Sequence, residues 1–91
     1  MLLARFIIVG HSMEPTFKNG SFVLVSSIPY LFVKPKIGDT IALKNEDKIF
    51  VKRVTKVNGE KYFVKGDNNK DSLEIGWINK KEIVGKVIAK I

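Results

Sequence analysis

The sequence predicts a compact, mostly antiparallel all-β domain made by the whole chain, residues 1–91. Short runs of β-branched and aromatic residues recur along the chain, and turns rich in glycine, asparagine and aspartate separate them. No segment keeps the hydrophobic period of a long helix. At this length, with 45% hydrophobic residues, the chain has room for one core, which excludes a disordered chain and a second domain.

The predicted strands follow one another closely. The apolar run 1–9 is predicted as the first strand, because it is too short to cross a membrane and lacks the basic start and cleavage site of a signal peptide. Asn58-Gly59 predicts a two-residue type I′ turn. One helical turn is predicted within 79–84, and residues 26–36 are predicted to be irregular. The remaining strands are predicted at 22–25, 40–44, 49–57, 62–64 and 83–91.

The charge indicates an acidic partner, either nucleic acid or an anionic membrane, because 16 basic residues face nine acidic ones and the net charge is +7. Neither an aromatic sheet face nor an arginine-rich strip is evident in the sequence, so we predict no nucleic-acid partner. Without cysteine the chain has no disulfide framework and no thiolate zinc site. We predict no metal and no cofactor.

The first segment of chemical interest is GHSMEPT, residues 10–16, which follows the first predicted strand. A nucleophilic serine needs a fixed turn, an exposed hydroxyl and nearby N–H groups for an oxyanion. Ser12 lies between Gly10 and Pro15, which suit such a turn. Taken alone, a segment of this kind is more often simply a turn.

The second segment is FVKRV, residues 50–54. In a strand, Lys52 shares a face with Phe50 and Val54. Such surroundings disfavour the ammonium and lower the pKa of a lysine, as a lysine acting as a base near neutral pH requires. Counting back from a turn at 58–59 pairs Lys52 with Lys65, a second cation that would lower the pKa further. Taken alone, one of fourteen lysines beside apolar neighbours is unremarkable.

The third segment, GDNNKDS at residues 66–72, is rich in residues that accept tight and left-handed backbone conformations. Two interpretations fit it. It forms a surface loop, or it is a scaffold that orients the Lys52 amine through Ser72.

In this order, the three segments resemble the boxes of the type I signal peptidase family of serine endopeptidases. They read GHSMEPTFKNGSFVLV, FVKRV and GDNNKDS, and the resemblance covers nearly the whole chain. It implies an all-β domain of the type shared by signal peptidases and SOS-repressor proteases. It also implies that Ser12 is the nucleophile and Lys52 the general base. The oxyanion hole would be formed by Ser12 N–H, with Gly10 at the position of a possible second donor.

The resemblance further implies that Ser72 orients the lysine amine and that Asp67 and Asn68 support the site. The family's Asp and Arg beyond this serine are Glu74 and Gly76 here. This departure keeps open a catalytically inactive member that only binds peptides. A precursor protein would bind as an extended strand against two segments. The pairing residues would be Phe6, Ile7, Ile8, Val9, Ile49, Phe50 and Val51.

Two related branches are set aside on the sequence. Archaeal and endoplasmic-reticulum signal peptidases carry histidine at the position of Lys52, and His11 is a poor substitute because it points away from Ser12 in an extended segment. The self-cleaving SOS repressors lack the GDNN box and carry a DNA-binding domain ahead of the serine, whereas this sequence starts just before it.

The sequence shows no membrane helix ahead of the serine, so it resembles short, anchor-less members such as the maturation proteases of nickel-type superoxide dismutase. We therefore expect removal of an N-terminal leader or signal peptide, in the cytoplasm or at the membrane periphery. A membrane-associated signal peptidase acting on secreted preproteins is the alternative. The apolar stretch Ile28–Val33, beside Lys34 and Lys36, is either a lid over the core or a contact with an anionic membrane.

Overall fold

The computed structural model describes residues 2–68, 70 and 76–91, and within them the chain forms one antiparallel sheet. The all-β prediction is thus confirmed. The strands lie in the order β1-β2-β7-β3-β4-β5-β6, so β1 and β6 are the ends of the sheet. The elements are β1 (Ala4–Ile7), β2 (Phe22–Ser26), α1 (Pro29–Phe32), β3 (Thr40–Asn45), β4 (Lys48–Asn58), β5 (Lys61–Lys65), β6 (Gly76–Asn79), a 3₁₀ turn (Lys80–Glu82) and β7 (Ile83–Lys90).

All six predicted strands are present, and the predicted helical turn is found at Lys80–Glu82. Two elements were not predicted. Strand β6 has four residues, too few to show a period in the sequence, and it is defined by its pairing with β5. Helix α1 lies in the stretch predicted to be irregular and carries Pro29 in its first turn, where a missing N–H costs nothing.

The predicted hairpin turn differs from the one in the structure. The turn between β4 and β5 is formed by Gly59 and Glu60, because Asn58 already pairs with Lys61. Gly59 has a φ of 61°, the positive value that a type II′ turn requires at its first central position, so the type I′ prediction is wrong.

The features of a type I′ turn occur instead between β3 and β4, where Glu46 and Asp47 have φ values of 51° and 67°. Positive φ is uncommon for residues other than glycine, although aspartate accepts it more readily than most. The sequence therefore gave little sign of this turn.

The displaced turn changes the register of β4 and β5. Arg53, and not Lys52, pairs with Lys65, while Lys52 pairs with Ile41 on β3. The displaced turn alone would place Lys65 opposite Val54, and a bulge between Val54 and Lys56 moves it back by one residue, to Arg53. The predicted Lys52–Lys65 pair is therefore wrong.

Two hydrophobic clusters form the core. The first joins β1 and β2 to the loop that carries Ser12. The second joins the four strands β3, β4, β5 and β6. The buried members of the first are Ile8, Met13, Phe17, Val23, Val25 and Ala42. Those of the second are Ile41, Leu43, Val54, Tyr62, Val64 and Ile78.

The outer face of the sheet carries an aromatic pair that the sequence analysis did not anticipate. Phe63 and Trp77 pair across β5 and β6 and meet edge to face, with ring centroids 5.4 Å apart. Lys56 Nζ lies 5.2 Å from the Phe63 centroid. The expectation that no aromatics lie exposed on a sheet face is wrong for Trp77, which is half exposed. The absence of a nucleic-acid partner stays a prediction.

The predicted lid over the core is correct for only part of the stretch Ile28–Val33. Tyr30 packs against the second cluster. Leu31, Phe32 and Val33 are exposed, so the prediction is wrong for these three side chains.

Gly85 lies on β7 where β2 approaches most closely, and replacing it by alanine tests this contact. An added Cβ would lie 2.7 Å from the carbonyl oxygen of Ser26, a backbone atom that cannot move without separating the strands. We expect Gly85→Ala to lower the free energy of unfolding by about 1–3 kcal/mol, as overpacking of a core does. Urea denaturation measures the change, and Ala89→Gly on the same strand is the control for backbone entropy. An unchanged midpoint for Gly85→Ala would contradict the close contact.

Candidate active site

The serine loop, residues 8–21, carries Ser12 and leaves the sheet at the end of β1. Ile8 N–H donates to Ser21 O and Gly20 N–H donates to Ile8 O, so the two arms of the loop continue the β1–β2 ladder. Gly10 has a φ of 94°, a left-handed conformation that favours glycine, and it turns the chain out of the strand direction.

Two buried side chains anchor this loop in the first cluster. Met13 is only 1% exposed and Phe17 is also buried. Phe17 N–H donates to Met13 O, which closes one tight turn between the anchors. Ser12, the neighbour of Met13, is half buried. The packing of Met13 and Phe17 thereby fixes the position of the backbone at Ser12.

Lys52 lies in the middle of β4 and is only 4% exposed, unusually low for a lysine. Its strand partner Ile41 and its neighbour on the same face, Val54, are completely buried. The predicted apolar surroundings are therefore present. Removing an ammonium from water is costly, so surroundings of this kind favour the neutral amine or demand a polar partner.

Ser12 and Lys52 line the same cavity, which has a volume of about 110 Å³. Residues from the end of β1, from the serine loop and from the first half of β4 surround it. Besides Ser12 and Lys52, they are Ile7, Ile8, Val9, Met13, Ile49, Phe50 and Val51. The cavity thus places a hydroxyl and a buried amine among apolar side chains, an arrangement suited to nucleophilic attack by serine with lysine as base.

Two strand edges beside this cavity have no partner in the described part of the chain. Strand β1 ends the sheet, so its outer edge is open. Strand β5 pairs with β4 only from Arg53 onward, which leaves residues 49–51 paired on one side, with β3. An extended peptide between these edges could form main-chain hydrogen bonds.

Six of the seven residues predicted to pair with substrate line this cavity. The exception is Phe6, whose side chain packs against the first cluster. Only the backbone of Phe6, which lies within β1, remains suited to pairing.

The segment after β5 holds the serine loop in place. Asn68 N–H donates to the carbonyl oxygen of Ser12 over 2.8 Å, and its side-chain amide donates to His11 O over 2.9 Å. Thr16 Oγ1 donates to Asp67 Oδ2 over 2.7 Å. The structure therefore brings Asp67 and Asn68, predicted from the resemblance as supporting residues, into direct contact with the loop.

Arg53, to which no role was assigned from the sequence, completes this support. Its Nε and Nη2 donate to the two oxygens of Asp67, each over 2.8 Å, and its Nη1 donates to Gly38 O. The guanidinium thus joins the loop after β5 to the turn before β3. These hydrogen bonds lower the pKa of the Asp67 carboxyl, and the carboxylate raises the pKa of Arg53 in return. The only signal in the sequence was its position beside Lys52.

Residues 4–88 of the chain match the family model described as Peptidase S24-like. The chain belongs to the Peptidase S24-like family. Membership supports a serine peptidase with an all-β domain, although the family also includes inactive members. The match supports the family of the repressor-type peptidases, which the motifs led us to set aside, and it does not specifically support the type I signal peptidases or the superoxide dismutase maturation proteases. A search of curated proteins finds no match.

The sequence also singled out Gly10, Ser72, Glu74 and His11. Gly10 N–H donates to Asn19 Oδ1 over 2.8 Å, so this donor is already engaged, and a role for Gly10 in the oxyanion hole stays a prediction. Ser72 and Glu74 lie outside the described residues. His11 is exposed, and its Nδ1 lies 2.8 Å from Glu14 Oε2, a hydrogen bond that lowers the pKa of Glu14.

Within the described residues, none of the helices has the length and apolar character needed to cross a bilayer. Over the same residues, no group of three or more histidine, cysteine, aspartate or glutamate side chains is suitably placed to hold a metal ion.

The pH dependence of stability tests the Asp67–Arg53 pair. The folded protein holds the pKa of Asp67 below its ordinary value because Arg53 donates to its carboxylate. Because the pKa of Asp67 is lower in the folded protein, the unfolded chain binds a proton on this carboxylate at a higher pH than the folded protein does. The contribution of the pair is therefore complete above the unfolded-state pKa, about 4, and is lost as the pH falls through the folded-state value.

We expect urea midpoints of the wild type to fall as the pH drops below about 4. Asp67→Asn lacks this titrating group, so its midpoint should fall less steeply over the same range. Glu46→Gln, at an exposed hairpin position, is the matched control and should follow the wild type. Equal slopes for Asp67→Asn and the wild type would contradict the prediction.

Proposed function

We propose that this chain is a serine endopeptidase that uses a Ser12/Lys52 dyad to remove an N-terminal leader or signal peptide from a precursor protein. The observation that carries the proposal is the shared cavity, where a serine on a fixed loop and a buried lysine lie between two open strand edges. Membership of the Peptidase S24-like family supports the serine peptidase part of the proposal. Leader removal rests on the resemblance to signal peptidases.

The precursor would bind in extended form, between β1 and the first half of β4. Main-chain hydrogen bonds to the two open edges would hold it in register, and alternate side chains would point into and away from the cavity. By the resemblance to signal peptidases, the cleaved bond would follow a small residue.

Acylation would begin with proton transfer from Ser12 Oγ to the neutral Lys52 amine. As Oγ bonds to the scissile carbonyl carbon, the carbonyl electron pair moves to oxygen, and Ser12 N–H stabilises the resulting oxyanion. Collapse of this intermediate breaks the C–N bond. The Lys52 ammonium returns its proton to the leaving amine, and the rest of the substrate remains as an ester on Ser12.

Deacylation would use the same lysine. A water molecule transfers a proton to the Lys52 amine as its oxygen attacks the ester carbonyl. The second intermediate releases Ser12 Oγ, which regains a proton from Lys52. Because both steps need the neutral amine, cleavage should increase with pH over the range in which Lys52 loses its proton.

Covalent labelling combined with a peptide library tests this function without knowledge of the precursor. We expect a penem probe to acylate the purified protein once, with the added mass on the tryptic peptide that contains Ser12. We expect the library to be cut after small residues. Ser21→Ala is the matched control, because Ser21 lies in the same loop but does not line the cavity, and it should be labelled and active.

Peptide binding without acylation or cleavage, between pH 6 and about 9, would overturn the peptidase and support the inactive, peptide-binding alternative. Labelling at a serine other than Ser12 would overturn the assigned nucleophile. Cleavage that requires added lipid would support the alternative of a signal peptidase acting at the membrane.

A further inference from the structure

A cluster of large apolar side chains projects from the connection between β2 and β3. We call this cluster the apolar tip and define it as Leu31, Phe32, Val33 and Ile37. Leu31 is 72% exposed and Phe32 is 81% exposed, and the other two are also well over half exposed. Single exposed apolar residues are ordinary, but four exposed large apolar residues on one short connection are typical of a surface that meets another apolar phase.

The base of the apolar tip is firmly attached to the sheet. Tyr30 OH donates to Asp39 Oδ2 over 2.8 Å, and Lys36 N–H donates to the same oxygen over 3.2 Å. Asp39 is buried and also lies 3.7 Å from Lys86 Nζ. Burial and the hydrogen bond to Asp39 raise the pKa of Tyr30, so the phenol keeps its donor proton at any ordinary pH. The tip is therefore held outward by fixed contacts.

The segment before β1 also exposes apolar side chains. Leu2 and Leu3 are both exposed. The carbonyl oxygen of Leu2 accepts a hydrogen bond of 2.7 Å from Ser26 Oγ, and Ile28 N–H donates to that same hydroxyl oxygen. One buried serine thus joins the N-terminal segment to the start of the connection that carries the tip.

Positive charge surrounds the apolar tip. Lys34 and Lys36 lie between Val33 and Ile37 in the sequence and are exposed. Lys80 lines a cavity of about 170 Å³ together with Leu31, so it lies beside the tip in space. Asp39, the one acidic residue in the sequence from 28 to 39, is buried beneath the tip. The outward surface therefore combines exposed apolar side chains with cations.

We propose that the apolar tip docks this domain on the surface of an anionic lipid bilayer. Leu31, Phe32, Val33 and Ile37 would enter the boundary between headgroups and acyl chains, and the neighbouring lysines would meet lipid phosphates. The net charge of +7 complements such a surface. A second copy of the chain would carry the same cations, which would oppose pairing of two tips. The proposal does not depend on the peptidase activity.

Vesicle co-sedimentation tests the proposal with the full chain. We expect the wild type to bind phosphatidylcholine vesicles that contain about 30% phosphatidylglycerol, and to bind pure phosphatidylcholine at least about tenfold more weakly. Leu31→Ser/Phe32→Ser should reduce binding to the anionic vesicles about tenfold or more, because two large apolar groups are lost. Thermal unfolding of this variant should match the wild type, because both side chains are exposed.

A pair of charge variants distinguishes docking through the apolar tip from general electrostatic attraction between the basic domain and anionic vesicles. Lys34→Glu/Lys36→Glu should reduce binding about tenfold or more, since each lysine near an anionic surface contributes severalfold. Lys56→Glu/Lys90→Glu changes the net charge equally at exposed positions outside the tip and should retain most of the binding. Equal losses in the two variants, or wild-type binding by Leu31→Ser/Phe32→Ser, would overturn the proposal. The proposal would also be overturned if the wild type were a dimer and Leu31→Ser/Phe32→Ser were a monomer.

Discussion

Replacing Lys52 by methionine, or Ser12 by alanine, is expected to remove peptide cleavage while leaving the domain folded. Methionine keeps the length and apolar stem of Lys52 and lacks the amine. General base catalysis contributes about 10²- to 10⁴-fold to a rate, so kcat should fall by at least this factor with little change in KM. Ser12→Ala removes the attacking oxygen itself, so turnover should fall to background.

The measurements that decide this prediction are kinetic and thermodynamic. Lys52→Met should be as stable as the wild type or more stable, because an apolar side chain of similar volume avoids the cost of burying a polar amine. Lys44→Met, at an exposed position on β3, is the matched control and should keep full activity. For Lys52→Ala, a small primary amine added in solution should restore part of the rate. Wild-type cleavage by folded Lys52→Met would exclude Lys52 as the base.

Replacing Asp67 by alanine is expected to destabilise the domain and to impair the site together. The change removes both hydrogen bonds from Arg53 and the one from Thr16, and it leaves the guanidinium partly buried without its carboxylate. Hydrogen bonds to charged groups contribute about 1.5–3 kcal/mol, so we expect a loss of about 2–4 kcal/mol in the free energy of unfolding. Urea denaturation at pH 7 measures it.

The activity of Asp67→Ala distinguishes positioning from simple loss of fold. At a temperature where the variant is fully folded, kcat should still fall, because the loop that carries Ser12 loses one of its attachments to the sheet. Asp67→Asn should recover part of both losses, since an amide oxygen can still accept from Thr16 or Arg53. The matched control is Glu60→Ala at an exposed turn position with an ordinary negative φ. Full activity of folded Asp67→Ala would remove the positioning role.

Much of the sheet could be predicted because each long strand carries its own pattern. The β-branched run in β4 and the alternation in β7 are local properties, and the structure confirms both strands. Strand β6 could not be predicted, because four residues show no period and only pairing with β5 makes them a strand. The register of β4 and β5 depends on the placement of one turn and on the bulge between Val54 and Lys56, so the misplaced turn assigned Lys65 to Lys52 instead of to Arg53.

The candidate site likewise combines residues that could be predicted from the sequence with residues that could not. The order of the three segments predicted which serine, lysine and supporting residues to consider, and the structure brings Ser12 and Lys52 to one cavity. Arg53 was missed because its role depends on Asp67, fourteen residues away in sequence, and on a carbonyl of the turn before β3. Contacts between distant segments leave no signal in a single sequence.

Strand and turn patterns in the sequence were enough to predict a short-stranded all-β domain, and the resemblance of its three segments to signal peptidases pointed to Ser12 and Lys52. The tertiary structure alone decided that Lys52 is buried opposite Ile41, that Asn68 and Asp67 hold the serine loop, and that residues 31–33 remain exposed. The physical reason is that strand patterns and turn preferences act over a few residues. Burial, register and the partners of a buried charge depend on which distant segments the folded sheet brings together.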